Sequence, residues 1–86
     1  MSDTYKGYEI SSLKDSYNRA IEICSKMGDA SIEKIIHTAE KIGADMVIKT
    51  LKQNSVFFNQ MKDEVRTGIE MAIIYVEYCT LKGIAL

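Results

Sequence analysis

Residues 69–79 read Ile-Glu-Met-Ala-Ile-Ile-Tyr-Val-Glu-Tyr-Cys, and this stretch decides how the chain folds. Its only charges, Glu70 and Glu77, fall on nearly the same side of a helix. Met71, Ala72, Ile73, Ile74, Tyr75, Val76, Tyr78 and Cys79 cover the rest of the circumference. In a small two- or three-helix monomer each helix hides one stripe, not most of a circle. The two glutamates also leave no apolar run near the ~20 residues that a bilayer requires, so a membrane span is excluded. The expectation is a homo-oligomer assembled through this late helix, with Ile69, Ile73, Ile74, Val76 and Tyr78 at the interface. The alternative is that the earlier, isoleucine-rich helices close over it within one chain.

Working outward, Phe58, Met61, Val65, Gly68, Ala72, Tyr75 and Cys79 keep a three-four spacing, which predicts one long helix from Val56 to Lys82. Its first half, with Lys62, Asp63, Glu64 and Arg66, is plainly amphipathic. Asn54-Ser55 makes the preceding turn, with Ser suited to a cap. Upstream, Ile32, Ile35, Ile36, Ala39 and Ile42 form the apolar face of a second helix capped by Asp29 or Ser31. Either Gly43 ends that helix and Asp45 starts another, or the helix continues, kinked at Gly43, to Gln53; continuation is favoured, because an interior Gly costs only about 1 kcal/mol against Ala. The first helix, Ser11 to Met27, carries Ile10, Leu13, Tyr17, Ala20, Cys24 and Met27 on one stripe. Ser12 and Asp15 approximate a capping box, and Gly28 supplies a left-handed stop. Residues 1–8 lack apolar periodicity and read as an extended arm, leaving 9–86 as a single helical domain.

The fold expected is therefore all-α: an arm, then three main helices as an antiparallel bundle or helical hairpin. Size bears on this. A chain of 86 residues buries only about 60% of its unfolded surface, and small proteins offset that with disulfides, metals or self-association. Cys24 and Cys79 are the only cysteines, and no signal-like apolar segment follows the start. They read as reduced thiols in a cytoplasmic protein. Eleven basic residues stand against twelve acidic ones, so no electrostatic excess favours nucleic acid or an anionic membrane.

The chemistry-bearing residues are few. His37 lies between Glu33 and Glu40 on one helical face, an arrangement that orients an imidazole, but no nucleophile, glycine-rich loop or second acid pair accompanies it. No His-x-x-x-His, Glu-x-x-His or Cys-x-x-Cys spacing supports a metal, and no cofactor is expected. Ala39-Glu40-Lys41-Ile42-Gly43 resembles the turn of a helix-turn-helix. However, Lys49 and Lys52 occupy the positions where apolar anchors should stand, with Ile48 and Leu51 one residue early. DNA binding ranks third among the functions considered. In the arm, Tyr5, Lys6 and Tyr8, followed by Tyr17 and Arg19, supply aromatic and basic groups able to stack on a base and neutralise a phosphate. Alternatively, Tyr8 simply covers the end of the bundle.

The run Ile69-Glu70-Met71-Ala72-Ile73-Ile74-Tyr75 resembles the second helix of the hairpin in small phage proteins that sequester cyclic oligonucleotide signals. The resemblance covers residues 69–75, and the Arg-Glu turn of that family does not precede them. It implies an oligomer of helical hairpins holding an anionic nucleotide between protomers, with tyrosine and lysine near the N-terminus. Taken together, the residues favour a non-enzymatic interaction module or antagonist that occupies a partner protein as a homo-oligomer. The competing function is sequestration of a small anionic nucleotide by Tyr5, Lys6, Tyr8, Tyr17 and Arg19.

Overall fold

The computed structural model describes residues 3–28 and 30–86. The first two residues of the expected arm, and the Asp29 cap, lie outside them. The fold is mostly helical, with one small sheet. The arm is not simply extended: β1 (Thr4–Tyr5) and β2 (Tyr8–Glu9) pair antiparallel, with Tyr5 opposite Tyr8. Lys6 and Gly7 form the two-residue turn with φ of 52° and 85°. Two consecutive positive φ values match the right-handed twist of a tight hairpin, and Gly7 adopts its value without steric cost.

The first helix, α1 (Ile10–Met27), buries Leu13, Tyr17 and Cys24 of the stripe read from the sequence, leaves Met27 at its end exposed, and stops at Gly28, whose φ is 68°. The Ser12–Asp15 capping box is not used, because the helix begins earlier. Its N-cap is Glu9, and its first turn is tied back instead by Ile10 N–H donating to the Asp3 carbonyl at 3.0 Å.

The second and third expected helices are both interrupted. The second becomes α2 (Ala30–His37), α3 (Ala39–Ile42) and α4 (Ala44–Asn54). At Thr38 the interruption is slight: its backbone stays helical, and its hydroxyl donates to the Lys34 carbonyl at 2.7 Å. At Gly43 the helix breaks outright, with φ 86° and ψ 155°. A Cβ there would also lie 3.2 Å from Glu77 Oε2. Gly43→Ala is therefore expected to cost about 1–3 kcal/mol in chemical denaturation.

Ser55 caps α5 (Val56–Gln60) by accepting from Phe58 N–H at 3.0 Å, as its place in the sequence suggested. The long final helix does not start at Val56, however. Met61 and Lys62 are extended, and α6 runs Asp63–Lys82. Asp63 and Glu64 then sit in its first turn, where the helix dipole favours negative charge.

These breaks explain how α6 is covered. Leu13 and Tyr17 from α1, Ile36 from α2, Ala39 from α3, and Ala44 and Val47 from α4 join Ala72, Ile73, Ile74, Tyr75, Val76 and Cys79 in one buried cluster. A straight second helix would shield one stripe, whereas three short pieces wrap further round α6. Alanines at 39, 44 and 72 allow close approach. Ile73 and Val76 are fully buried and Ile74 is 6% exposed, while Ile69 and Tyr78 are partly buried against the same cluster. For Ile73, Ile74 and Val76 the expected contact with a second copy is thus corrected: their apolar surface is taken up within the chain, and the counting that led to it assumed unbroken helices. Ile69 and Tyr78 keep part of their surface open, Ile69 on the side of α6 that faces α1.

Candidate interaction groove

The polar side of α6 faces its own chain too. Glu70 pairs with Lys52 at 3.1 Å, and Glu77 accepts from the Ala44 N–H at 2.7 Å, so both glutamates look onto α4 and the two helices run antiparallel. Glu77 is the busier of the two. Its carboxylate also takes the Tyr5 hydroxyl at 2.5 Å and Lys6 Nζ at 2.6 Å, and Lys6 reaches Asp45 at 3.0 Å. One side chain on α6 thereby fixes the hairpin and the start of α4, residues far apart in sequence. The Ala44 N–H needs this partner because the break at Gly43 leaves it at a helix start.

Electrostatics follow the geometry. Burial alone would push the Glu77 carboxyl up, but hydrogen bonds from Lys6, Tyr5 and Ala44 outweigh it and hold the group below its ordinary 4.5. Burial works to lower Lys6, yet Glu77 and Asp45 hold its ammonium above the usual lysine value. Burial and the Glu77 carboxylate raise Tyr5.

Of the five residues read as a ligand site, the hairpin brings Tyr5, Lys6 and Tyr8 together, whereas Tyr17 and Arg19 belong to α1. Tyr5 and Lys6 meet at Glu77, where two carboxylates already neutralise the lysine. Tyr8 is half-buried beside the core. Tyr17 is buried and hydrogen-bonds His37 Nε2 at 3.0 Å, while His37 Nδ1 lies 3.4 Å from Glu40. This set braces α1 against α2 and α3. Burial, then the nearby Glu33 and Glu40 charges, raise the Tyr17 phenol. A hydrogen bond with Cys79, then burial, push Tyr75 up to about 12. These phenols are held in their protonated form, suited to packing and donation. Arg19 stands exposed on another face.

That face holds the feature sequence reasoning missed. A groove of ≈ 470 Å³ opens between α1 and the first half of α6, closed at one end by α5. Along α1, Arg19, Ile23 and Met27 follow one another at four-residue spacing. From α6 come Glu64, Val65, Gly68 and Ile69, and Phe57 and Met61 complete the lining. The interruption at Met61–Lys62 creates it. Phe58 turns inward, 3% exposed, and Asn59 Nδ2 donates to the Lys52 carbonyl at 2.8 Å, so α5 is anchored with its neighbour Phe57 left 68% exposed. Met27 is 72% exposed, and Ile23 and Val65 are about half exposed. The sequence did carry a signal: Phe57 and Phe58 are adjacent, and one helix cannot bury both on a single stripe.

Comparison with known protein families, with curated proteins and with solved structures gives no match. Function must therefore be read from the site itself. Among the described residues no three metal-ligating side chains cluster, and no helix is long and apolar enough to cross a membrane. The buried thiols of Cys24 and Cys79 form no disulfide. Lys52, on the helix-turn-helix-like segment, is engaged by Glu70.

Proposed function

We propose that this chain is a non-enzymatic helical interaction module that acts by contacting protein through the groove between α1, α5 and α6. The observation that carries the reading is Phe57 and Met27 standing 68% and 72% exposed beside Ile23 and Val65. Contiguous apolar surface of this kind, edged by charge, marks protein-contact sites. The polar groups that would serve chemistry or anion binding are instead spent on holding the fold. Glu77 fastens the hairpin, and Tyr17 and His37 brace the helices. Sequestration of an anionic nucleotide is the weaker reading, because Lys6 would have to leave two carboxylates to reach a phosphate. A cytoplasmic setting belongs to the same proposal, since buried unbridged thiols suit a reducing compartment.

The reading is tested by placing a photocrosslinking amino acid at position 57, and separately at exposed position 49, in the cells that make the protein. Protein adducts are expected from position 57 and not from 49. Absence of adducts at 57, or equal yields from both positions, contradicts it.

A further inference from the structure

The groove's two walls carry opposite, unmatched charges. Arg19 stands on the α1 side and Glu64 on the α6 side, both exposed. Neither joins an ion pair or hydrogen bond among the described residues. We propose that the groove is occupied by the same groove of a second copy of this chain, related by a two-fold axis. The proposal rests on the reading of this face as a protein-contact surface and adds the identity of the occupant.

In a two-fold interface a residue away from the axis meets a different residue of the same patch, reciprocally. Arg19 of one copy then faces Glu64 of the other, and the second pair follows by symmetry. Two ion pairs flank an apolar centre, which is the anatomy of a specific interface. A partner of single charge sign would satisfy one wall and oppose the other.

Gly68 adds an independent observation. An interior glycine weakens a helix relative to alanine. Here a Cβ would meet nothing within 4 Å, so packing inside the chain does not call for glycine. With Ser16 and Ala20 across from it, Gly68 leaves the groove floor low enough for a large side chain of the second copy, Met27 or Phe57, to enter. The apolar surface offered by Ile23, Met27, Phe57 and Val65 is on the order of 500 Å² per copy, near the lower bound for specific association. The dimer is therefore expected to be weak, with a dissociation constant in the micromolar range.

Sedimentation equilibrium of the full chain and its Arg19→Glu, Glu64→Arg and doubly reversed variants tests this, with circular dichroism confirming that each is folded. The wild type is expected to dimerise. Each single reversal should weaken the dimer about tenfold or more by placing like charges together, and the double reversal should restore it to within a few-fold. Gly68→Ala should raise the melting temperature of the isolated chain while weakening its dimer. A wild type that stays one chain up to millimolar concentration overturns the proposal, as does a double reversal no tighter than the single ones, or a Gly68→Ala chain that dimerises unchanged. If position 57 crosslinks to a different protein, self-association is overturned while the contact-surface reading stands. No crosslink at all overturns both.

Discussion

Ile73→Ala is expected to lower the unfolding free energy by about 2–5 kcal/mol, by deleting buried methyl and methylene groups and leaving a cavity. Ile73 is fully buried among α6 and the helices that wrap it. For a domain this small that is a large share of the total, and the melting temperature should fall by roughly 10–30 °C. Ile23→Ala provides the contrast. Ile23 is 50% exposed on the groove wall, so its truncation should change monomer stability by less than about 1 kcal/mol. Urea denaturation of both variants separates a residue that builds the chain from one that lines its surface. Equal losses would mean that α6 is not the internal element described above.

Glu77→Ala should be the other costly change, at about 2–4 kcal/mol, because it removes the acceptor for Tyr5, Lys6 and the Ala44 N–H together. The loss is partly relieved for Lys6, which keeps Asp45, but the Ala44 N–H at the broken helix has no second acceptor among the described residues. Glu77→Gln retains an acceptor and should lose less. It also exposes the pH dependence. The folded-state pKa of Glu77 lies below 4.5, so its stabilisation is fully present above the ordinary carboxylate value. It is lost as pH falls from there through the lowered folded value. Wild-type stability should therefore decline in that acidic window more steeply than that of Glu77→Gln. Parallel curves would show that the carboxylate is not held by these three donors.

Much of the helical content is legible in the residues. The stripe from Ile10 to Met27, the stop at Gly28 and the cap at Ser55 are local, and local chemistry suffices to read them. What escaped depends on partners distant in sequence. Gly43 is tolerable in a helix by propensity alone; it breaks here because Glu77 meets the freed Ala44 N–H. Met61 continues the apolar spacing on paper, yet turning there lets Phe58 reach the interior. The hairpin did have a local sign, Gly7 as the second of two residues between Tyr5 and Tyr8, which the lack of periodicity in the arm masked.

The same reasoning relocates the surplus apolar surface. Straight helices would leave Ile73, Ile74 and Val76 uncovered, whereas interrupted ones enclose them and leave Ile23, Met27, Phe57 and Val65 open. The exposed apolar face was misplaced along α6 because its covering helices bend where no periodicity marks a bend. Arg19, read from the sequence as part of a nucleotide site, lines the groove.

The most direct measurement is solvent paramagnetic relaxation of the isoleucine and valine methyl groups by nuclear magnetic resonance, on single chains at high dilution. The account predicts strong broadening for Ile23 and Val65 and protection of Ile73, Ile74 and Val76. Broadening of the late-helix methyls with protection of Ile23 and Val65 would contradict it, returning the exposed face to the end of α6.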